Sequence, residues 1–502
     1  MNKKFVLFNL IFLFFYFFSL KLNANNNETF RWAGDSASGV PGIFHSLDNF
    51  ELQGYEKEIA EAIAAKLGKT PVYVQNEWDG LIPGLDRDLY DAVINVIVIT
   101  PEAEQEVNFS KPYYVTYQQL AVHVTDTANT LEDLNGRSIA TLRNSYAWQF
   151  LKNNKDIDLR LYVEDTNLFK DLANKRVDGL LLDAPIVKYY GEADPKIKLV
   201  GPPYGRMEYG VAVRKGNQVL LNEINNALDS LIADGTLRQI LERWALWNPL
   251  VAKTFNDSSQ KNYAHPAYDE YMKSYASISE YKTDIKKYLS FLPMLGKGAL
   301  MTVEISILSM LLAIGLGFLL AIARIYGPKP LGALAKIYIE TIRGTPLLIQ
   351  LYFIFYGLPN IGIDLNPFLA GTIALALNYA AYEAENYRAG ILAVPTGQME
   401  AARALGMTHW QGLRHVVMPQ AFRIILPPMT NDFISLLKDS SLVSVITIVD
   451  LTFVYNMLAT TYFNYFGIGI LVALIYLLLG LPFVQLARWT ERRFALEKIR
   501  RK

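Results

Sequence analysis

The first half of the chain alternates between helix-like and strand-like hydrophobic patterns. In YEKEIAEAIAAKLG, Ile59, Ile63 and Leu67 recur at helical spacing, and Gly68 follows as a residue typical of a helix end. The stretches PVYVQ, DAVINVIVIT and RSIATL have the patterns of strands. A later helix is predicted from the apolar stripe Leu220, Ile224, Leu228 and Leu231. Because the two patterns alternate over residues 29–247, we expect an α/β domain of parallel sheets covered by helices.

The second half consists of long apolar runs. Residues 249–290 are polar and irregular and are interpreted as a linker. Beyond them, five apolar runs each approach the roughly 20 residues that a membrane-spanning helix needs. These runs are 298–323, 335–357, 367–387, 433–457 and 465–487. They predict an all-α transmembrane domain of about five helices over residues 291–495, followed by a tail, 496–502.

The N-terminus has the pattern of an export signal. Lys3 and Lys4 precede an apolar run, and Leu22-Asn23-Ala24 offers a small-residue cleavage site. We predict a signal peptide over residues 1–24 and an exported domain over 25–248. An uncleaved anchor helix is the alternative.

Positive charges indicate the orientation in the membrane. Lys and Arg follow the first and third apolar runs and fill the tail, whereas GLPNIGIDLNP and NMLATTYFNYF contain none. Cytoplasmic loops are enriched in Lys and Arg, so the basic segments are expected inside the cell. The N-terminal domain is then expected on the periplasmic or extracellular side of a bacterial inner membrane.

Composition excludes several classes of function. The 502 residues include 48 basic and 48 acidic side chains, so no nucleic-acid partner is expected. With no cysteine, the chain has no disulfide, thiolate metal site or cysteine nucleophile. With five histidines, we expect no metal site.

One polar segment interrupts the apolar second half. EAARALGMTHWQGLRHVVMP runs from Glu400 to Pro419, on the predicted cytoplasmic side. Its small residues suit the close approach of another protein's backbone. From composition alone, a helical hairpin lying on lipid headgroups is the alternative.

The spacing in this segment resembles the EAA loop of ABC importer permeases, whose pattern is EAA, three residues, Gly, nine residues, I-x-L-P. Here Glu400-Ala401-Ala402 and Gly406 match, and Val416 to Pro419 follows with mild departures. The stretches IRGTPLLIQLYFIFYGLP, AYEAENYRAGI and QAFRIILPPMTNDFISLLKDSSLVSVI extend the resemblance, to the polar amino acid branch, over about 290–495. It implies that Glu400, Ala401, Ala402 and Gly406 couple the chain to a separate ABC ATPase subunit, and that permeases pair as homodimers or with a related permease.

The chain itself carries no recognisable ATP site in its sequence. LGKT contains Gly-Lys-Thr, but Ile63 stands where a phosphate-binding loop needs its first glycine. Gly68 is better interpreted as a helix stop before a strand. We therefore expect no cofactor in this chain, with ATP bound by the partner subunit.

Residues 29–248 resemble the solute-binding proteins of polar amino acid importers. The matching stretches, in family order, are LQGYEKEIAEAIAAKLG, WDGLIPGL, DAVINVIVITPE, NFSKPYY, VDGLLLD and DGTLRQILERW. The resemblance implies two lobes that close around a ligand, with hinge crossings near 113–118 and 204–210.

In the members that bind amino acids, an arginine after the I-T motif holds the α-carboxylate and an aspartate holds the α-ammonium. Asp183 matches the aspartate, but Ala103 occupies the arginine position. Arg143 is our expected replacement. The remaining predicted ligand contacts are Trp78, Asn95, Thr100, Ser145 and Tyr146. Two alternatives stay open: Asp183 as a cap of a turn, and Trp78 as a packing residue of the first lobe.

Charged residues within the apolar runs need a physical reason. Glu340 and Arg343 lie three residues apart, and Glu383, Glu385 and Arg388 cluster near the end of the third run. They are expected either to line a translocation path or to pair with one another and tie helices together.

The leading hypothesis is a permease with a fused solute-binding domain for ATP-driven import of a polar amino acid or a related small solute. The main alternative is a degenerate solute-binding receptor or sensor tethered to a permease-like domain. A ligand-gated channel is disfavoured because a TVGYG-type filter is absent from the sequence. An enzyme is disfavoured because Asp183 is the one clear acid or base expected in the cleft.

Overall fold

The computed structural model describes residues 28–37, 39–46, 50–257, 259, 264–276 and 285–494. The predicted signal peptide and tail lie outside these residues. The chain divides into two compact units. Within the described residues, the first comprises those in the ranges 28–44, 51–75 and 84–272, and the second those in the ranges 45–50, 76–83 and 273–494.

The first unit is built on an eight-stranded sheet with the order β4-β1-β5-β10-β6-β9-β7-β8. A separate pair is formed by β2 and β3. The strands are β1 (Thr29–Gly34), β2 (Phe44–His45), β3 (Leu52–Gln53), β4 (Thr70–Gln75), β5 (Ala92–Val93), β6 (Val107–His123), β7 (Ser138–Leu142), β8 (Asp158–Tyr162), β9 (Gly179–Asp183) and β10 (Ile197–Arg214). The helices are α1 (Tyr55–Lys66), α2 (Leu81–Asp86), α3 (Ala103–Glu106), α4 (Tyr146–Leu151), α5 (Asp165–Ala173), α6 (Ala184–Ala193), α7 (Gln218–Ala233), α8 (Thr236–Arg243), α9 (Pro249–Thr254) and α10 (Pro266–Ala276).

The sheet forms two lobes joined by two long strands. Strands β1, β4 and β5 are parallel in the first lobe, and β7, β8 and β9 are parallel in the second. Strands β6 and β10 run antiparallel to each other and pair with β5 on one side and β9 on the other. The two expected hinge crossings fall on these strands, where Tyr204, Met207 and Tyr209 pair with Gln118, Thr116 and Tyr114. The predicted α/β fold is therefore confirmed, with an antiparallel centre between two parallel edges.

The amphipathic helices follow their sequence patterns. Ile59 and Ile63 are fully buried on α1, and Gly68 has a φ of 67° just beyond it, which suits a residue without a side chain. Thr70 then begins β4. The Gly-Lys-Thr run is thus a helix stop before a strand. On α7, all four predicted stripe residues are buried.

The strand predicted in DAVINVIVIT is wrong over most of its length. Only Ala92 and Val93 form β5, and Val98 makes an isolated bridge to Tyr209. Val96 has a φ of 46°, and its N–H donates to Oε1 of Glu56 at 2.6 Å rather than to a strand. A buried carboxylate therefore takes the backbone out of the sheet at this point.

The predicted linker also contains regular structure. Helices α9 and α10 lie within residues 249–290, and the first membrane-domain helix begins at Ile285. Tyr271 on α10 is only 7% exposed, because its ring packs 5.7 Å from that of Phe44 in the first lobe and 5.1 Å from that of Tyr189 in the second. The first part of the linker is therefore a docked part of the soluble domain.

The second unit is helical. Its helices are α11 (Ile285–Tyr326), α12 (Lys329–Arg343), α13 (Leu347–Tyr352), α14 (Pro367–Leu392), α15 (Thr396–Ala404), α16 (His409–Gly412), α17 (Met418–Asp439), α18 (Leu451–Thr461) and α19 (Tyr465–Phe494). Among the described residues, two helices are long and apolar enough to cross a membrane, and a third span is present if α17 and α18, with the segments that flank α17, are counted as one bent span.

The predicted runs 298–323, 367–387 and 465–487 each lie within one helix, but the other two do not. The run 335–357 is broken at Gly344-Thr345-Pro346, because proline removes a backbone donor and restricts the residue before it. The run 433–457 bends by 59°. Thr447 adopts a φ of 70° there, and Asp450 caps α18 by accepting the N–H of Phe453 at 2.8 Å.

Three charged side chains of the membrane domain, one acidic and two basic, are paired with one another. Glu385 accepts hydrogen bonds from Arg324 and from Arg388, the latter at 2.8 Å. Because Arg324 lies on α11 and Glu385 on α14, the expectation that these charges pair and tie helices together is confirmed for Glu385. Glu383 is fully buried beside Gly317, and neither of its carboxylate oxygens has a hydrogen-bond partner within the described part of the chain.

Candidate functional site

Asp183 lies at the carboxyl end of β9, where ligands of open α/β sheets usually bind. Its Oδ1 accepts a hydrogen bond from Nε2 of Gln118 at 2.7 Å, and its Oδ2 accepts one from the hydroxyl of Tyr209. Asp183 is also the N-cap residue of α6, but its side chain makes no capping hydrogen bond. The capping alternative is therefore wrong. Burial raises the pKa of Asp183, and the hydrogen bonds from Tyr209 and Gln118 oppose that rise.

Asn95 lies just after β5, the short first-lobe strand that pairs with β10. It is fully buried, and its Oδ1 accepts the backbone N–H of Asp35 at 2.6 Å. Asp35 Oδ1 in turn accepts the amide of Gln75 at 3.1 Å and the N–H of Ala37 at 3.0 Å. Asn95 thus holds the loop after β1 against the end of β5.

A second buried carboxylate, Glu56, lies beside this loop. Its Oε1 accepts hydrogen bonds from Tyr113 and from the N–H of Val96. Burial raises the pKa of Glu56 to about 7, with hydrogen bonds from Tyr113 and Val96 acting in the opposite direction. A Cβ on Gly42 would lie 2.5 Å from Oε2 of Glu56, so the loop needs glycine there.

A contact also joins the two lobes. Gly39, in the first lobe, donates its N–H to Oδ2 of Asp165, in the second lobe, at 3.3 Å. Asp165 also accepts the N–H of Thr166 at 2.6 Å and is fully buried. Burial raises the pKa of Asp165 to about 7, and the two backbone hydrogen bonds lower it.

The loop after β7 carries three of the predicted contacts. Ser145 caps α4: its hydroxyl accepts the N–H of Trp148 at 3.1 Å and donates to the carbonyl of Leu142 at 2.7 Å. That hydroxyl is already occupied by the local fold. Tyr146 is half-buried, and its ring lies against Gly205. Arg143 is exposed, and its backbone N–H bonds to Tyr162.

The position of the missing arginine lies in a helical turn. Thr100 Oγ1 accepts the N–H of Ala103 at 3.2 Å, which begins the short helix α3. Both residues are half-buried. Thr100 therefore stabilises this turn. No cationic side chain stands at residue 103.

Trp78 belongs to the segment Asn76–Pro83, which is part of the second compact unit and not of the first. It is half-buried and begins the 3-10 helix Trp78–Gly80. Its role as a ligand contact stays a prediction.

Three buried polar residues were missed by the sequence analysis: Glu56, Gln118 and Asp165. No local pattern distinguishes them, because Gln118 sits inside a strand pattern and the two acids sit at helix starts, where acidic residues are common. Among the described residues, no group of three His, Asp or Glu side chains is placed to hold a metal ion.

The polar segment from Glu400 forms two short helices joined by a tight turn. Gly406 has a φ of 83°, its N–H bonds to Arg403, and the N–H of Met407 bonds to Ala402. These are the two hydrogen bonds of a Schellman motif, which needs a residue in the left-handed region. Thr408 and Gln411 then form a capping box that begins α16.

The four predicted coupling residues have different surroundings. Glu400 and Ala401 are exposed, whereas Ala402 is buried against Gly412. The small size of Ala402 therefore serves packing inside this segment, and its role in coupling stays a prediction. Leu405 and Trp410 are 80% and 60% exposed, which leaves apolar side chains on the outer surface of the turn.

Known proteins resemble both units. Residues 34–246 match the bacterial extracellular solute-binding proteins, family 3, and residues 313–496 match the binding-protein-dependent transport system inner membrane component. The L-cystine transport system permease protein TcyB of Bacillus subtilis is 46% identical over 162 residues, which cover 32% of this chain and 69% of that protein. The glutamine transport system permease protein GlnP of Escherichia coli is 36% identical over 207 residues, which cover 41% of this chain and 94% of that protein.

The chain therefore belongs to the inner-membrane permeases of amino acid ABC transporters and carries a family 3 solute-binding domain on the same polypeptide.

Proposed function

We propose that this chain binds an α-amino acid outside the cell and passes it through its own membrane domain, powered by a separate ATPase subunit. The observation that carries the proposal is Asp183, a buried carboxylate at the carboxyl end of β9 in a family 3 solute-binding domain. A carboxylate in this position suits the ammonium group of an amino acid.

The choice of solute class is supported by the relatives. The names of TcyB and GlnP assign them to the transport of L-cystine and glutamine, two polar amino acids. Their similarity to this chain lies in the permease half. The import of a polar amino acid is therefore the proposal for this chain, with the binding domain on the outer side of the membrane.

The ATPase partner is proposed from the segment around Glu400. Its exposed residues Glu400, Ala401, Leu405 and Trp410 lie on two helices and on the hydrogen-bonded turn between them. A second protein can contact this surface without reordering a flexible loop. ATP would then bind on that partner. Because the chain supplies one membrane domain, we propose that it pairs with a second copy or with a related permease.

Arg143 is proposed to contact the solute carboxylate in place of the arginine that Ala103 replaces. It belongs to the loop between β7 and α4 and follows the carboxyl end of a second-lobe strand, as Asp183 does. A guanidinium forms paired hydrogen bonds with a carboxylate, so its loss should weaken binding about 10- to 100-fold.

The test is a thermal-shift screen of the full chain in nanodiscs. The panel contains the amino acids including L-cystine, their decarboxylated amines, small dipeptides and organic acids. We expect stabilisation by a polar α-amino acid, and a much smaller shift for Arg143→Ala than for the nearby exposed control Lys152→Ala. Stabilisation by amines alone would contradict the amino acid proposal and leave Asp183 as the anchor.

A degenerate receptor is the second candidate. It is favoured by one observation: both oxygens of Asp183 already accept hydrogen bonds within the protein, and Ala103 offers no cation. If no compound of the panel stabilises the wild-type chain, while ATP-dependent uptake is also undetectable in cells that express it, this candidate replaces the import proposal.

A further inference from the structure

We propose that Gln118 determines specificity for solutes with an ammonium group. Its amide oxygen accepts a hydrogen bond from the ammonium group, beside the carboxylate of Asp183. The inference rests on the proposed function, and it names a residue that its sequence pattern did not single out. Gln118 lies on β6, one of the two strands that join the lobes, and Asp183 lies directly opposite on β9.

The amide donors of Gln118 are both used. Nε2 donates to Oδ1 of Asp183 at 2.7 Å and to the sulfur of Met207 at 2.8 Å. The hydroxyl of Tyr209 donates to the other oxygen of Asp183. The carboxylate is therefore held by two neutral donors, and the described part of the chain supplies it with no cation within hydrogen-bonding distance.

The orientation of the amide follows from its neighbour. If the amide were turned over, its oxygen would face the carboxylate of Asp183 and two acceptors would meet without a proton between them. The nitrogen must therefore face Asp183, and the oxygen, in the same plane, points away from Asp183 on the other side of Cδ.

Within the described residues, that oxygen has no hydrogen-bond partner. Gln118 is fully buried, and its Oε1 accepts no hydrogen bond from any described residue. A buried acceptor without a donor destabilises a protein, so such an atom is satisfied by water or by a bound group. The group that fits must bring protons to it.

An ammonium group matches this arrangement. It carries three N–H donors and a positive charge. The carboxylate of Asp183 keeps free lone pairs, and Oε1 of Gln118 is a neutral acceptor on the side chain that is hydrogen-bonded to it. A carboxylate or phosphate ligand would instead face acceptors only. The site therefore selects primary ammonium groups and rejects anions and solutes whose amino group is acylated.

The test measures equilibrium binding of L-glutamine, L-cystine and N-acetyl-L-glutamine to the full chain in nanodiscs. N-acetyl-L-glutamine keeps the carboxylate and the side chain but lacks the ammonium. For Gln118→Leu we expect an affinity for the free amino acid that falls about 10- to 100-fold, as for the loss of a hydrogen bond to a charged group. The preference for the free over the acetylated form should fall with it.

The matched control is Gln119→Leu, the same change on the opposite face of β6, where the amide bonds to backbone carbonyls of Leu120 and Val200. It should stay within about twofold of the wild type. Gln118→Met serves as the second variant, because it keeps the length of the side chain beside Met207 and removes the oxygen. A general loss of structure would weaken both ligands alike and leave their ratio unchanged.

The outcomes separate the two proposals. If the wild type binds a free amino acid and Gln118→Leu or Gln118→Met binds it within twofold with the same preference, the role of Gln118 is overturned and the import proposal stands. If the wild type binds no ammonium-bearing compound of the thermal-shift panel and shows no ATP-dependent uptake, both proposals are overturned.

Discussion

The backbone N–H of Gly39 in the first lobe donates to the carboxylate of Asp165 in the second lobe, with 3.3 Å between nitrogen and oxygen. Gly39 has a φ of 123°, a conformation that favours glycine. Because the two residues belong to different lobes, this hydrogen bond exists only when the lobes are closed. This hydrogen bond therefore favours the closed lobes without the participation of a solute.

The first prediction is that Asp165→Ala shifts the free protein toward open lobes. The chain has no cysteine, so spin labels on Ala65→Cys and Lys155→Cys, one exposed site per lobe, need no background changes. Double electron-electron resonance on the full chain should give longer distances for the variant. The control is Asp171→Ala, because Asp171 lies on the same helix but bonds to Tyr162 and Arg176 within the second lobe. Equal distance distributions in all three proteins would contradict the prediction.

The second prediction concerns pH. Burial raises the pKa of Glu56 from 4.5 to about 7 in the folded protein. At Glu56 the folded state then binds more protons than the unfolded state between these values, so the contribution of Glu56 to the stability of the domain falls as the pH rises from about 4.5 to 7. Above that range the ionised Glu56 destabilises the domain by about 3 kcal/mol. Glu56→Gln, which keeps an oxygen for Val96, should raise the melting temperature more at pH 8 than at pH 5.

The control for this experiment is Glu61→Gln, an exposed acid on the same helix that pairs with Lys57. Its effect should be small and equal at the two pH values. Differential scanning fluorimetry of the full chain provides the measurement. A Glu56→Gln shift that does not change with pH would show that the carboxylate is ionised in the folded protein at both values.

The third prediction concerns the turn at Gly406. A side chain there would be held at a φ of 83°, which costs about 1 kcal/mol for a residue other than glycine. Gly406→Ala should therefore displace Leu405 and Trp410 and reduce ATP-dependent amino acid uptake several-fold without changing solute affinity. Gly397→Ala is the control, since its added Cβ meets nothing within 4 Å. Uptake equal to that of the wild type would show that coupling to the ATPase does not depend on the geometry of this turn.

The fourth prediction concerns helix α10. Tyr271 packs between Phe44 and Tyr189, so Tyr271→Ala should release the helix from both lobes, with a loss of about 3 kcal/mol. Lys273, on the exposed side of the same helix, provides the control Lys273→Ala. Hydrogen exchange of residues 266–276 should become fast in the first variant only. Unchanged protection would mean that other contacts hold the helix.

The sequence determined the division of the chain and the character of its halves. Helical stripes such as Leu220 to Leu231 and apolar runs such as 465–487 depend on the spacing of nearby apolar residues. That spacing can be read directly from the sequence. Gly406 was also found by its spacing in the EAA-like segment, and glycine is the residue that a left-handed turn favours most.

The tertiary structure decided how side chains far apart in sequence meet. Val96 leaves the sheet because Glu56, forty residues earlier, accepts its N–H, and no local pattern contains that information. Asp183 was expected to be free for a ligand, but Gln118 and Tyr209 hold it from the neighbouring strands. A buried polar group acts according to its partners, and its partners are set by the fold.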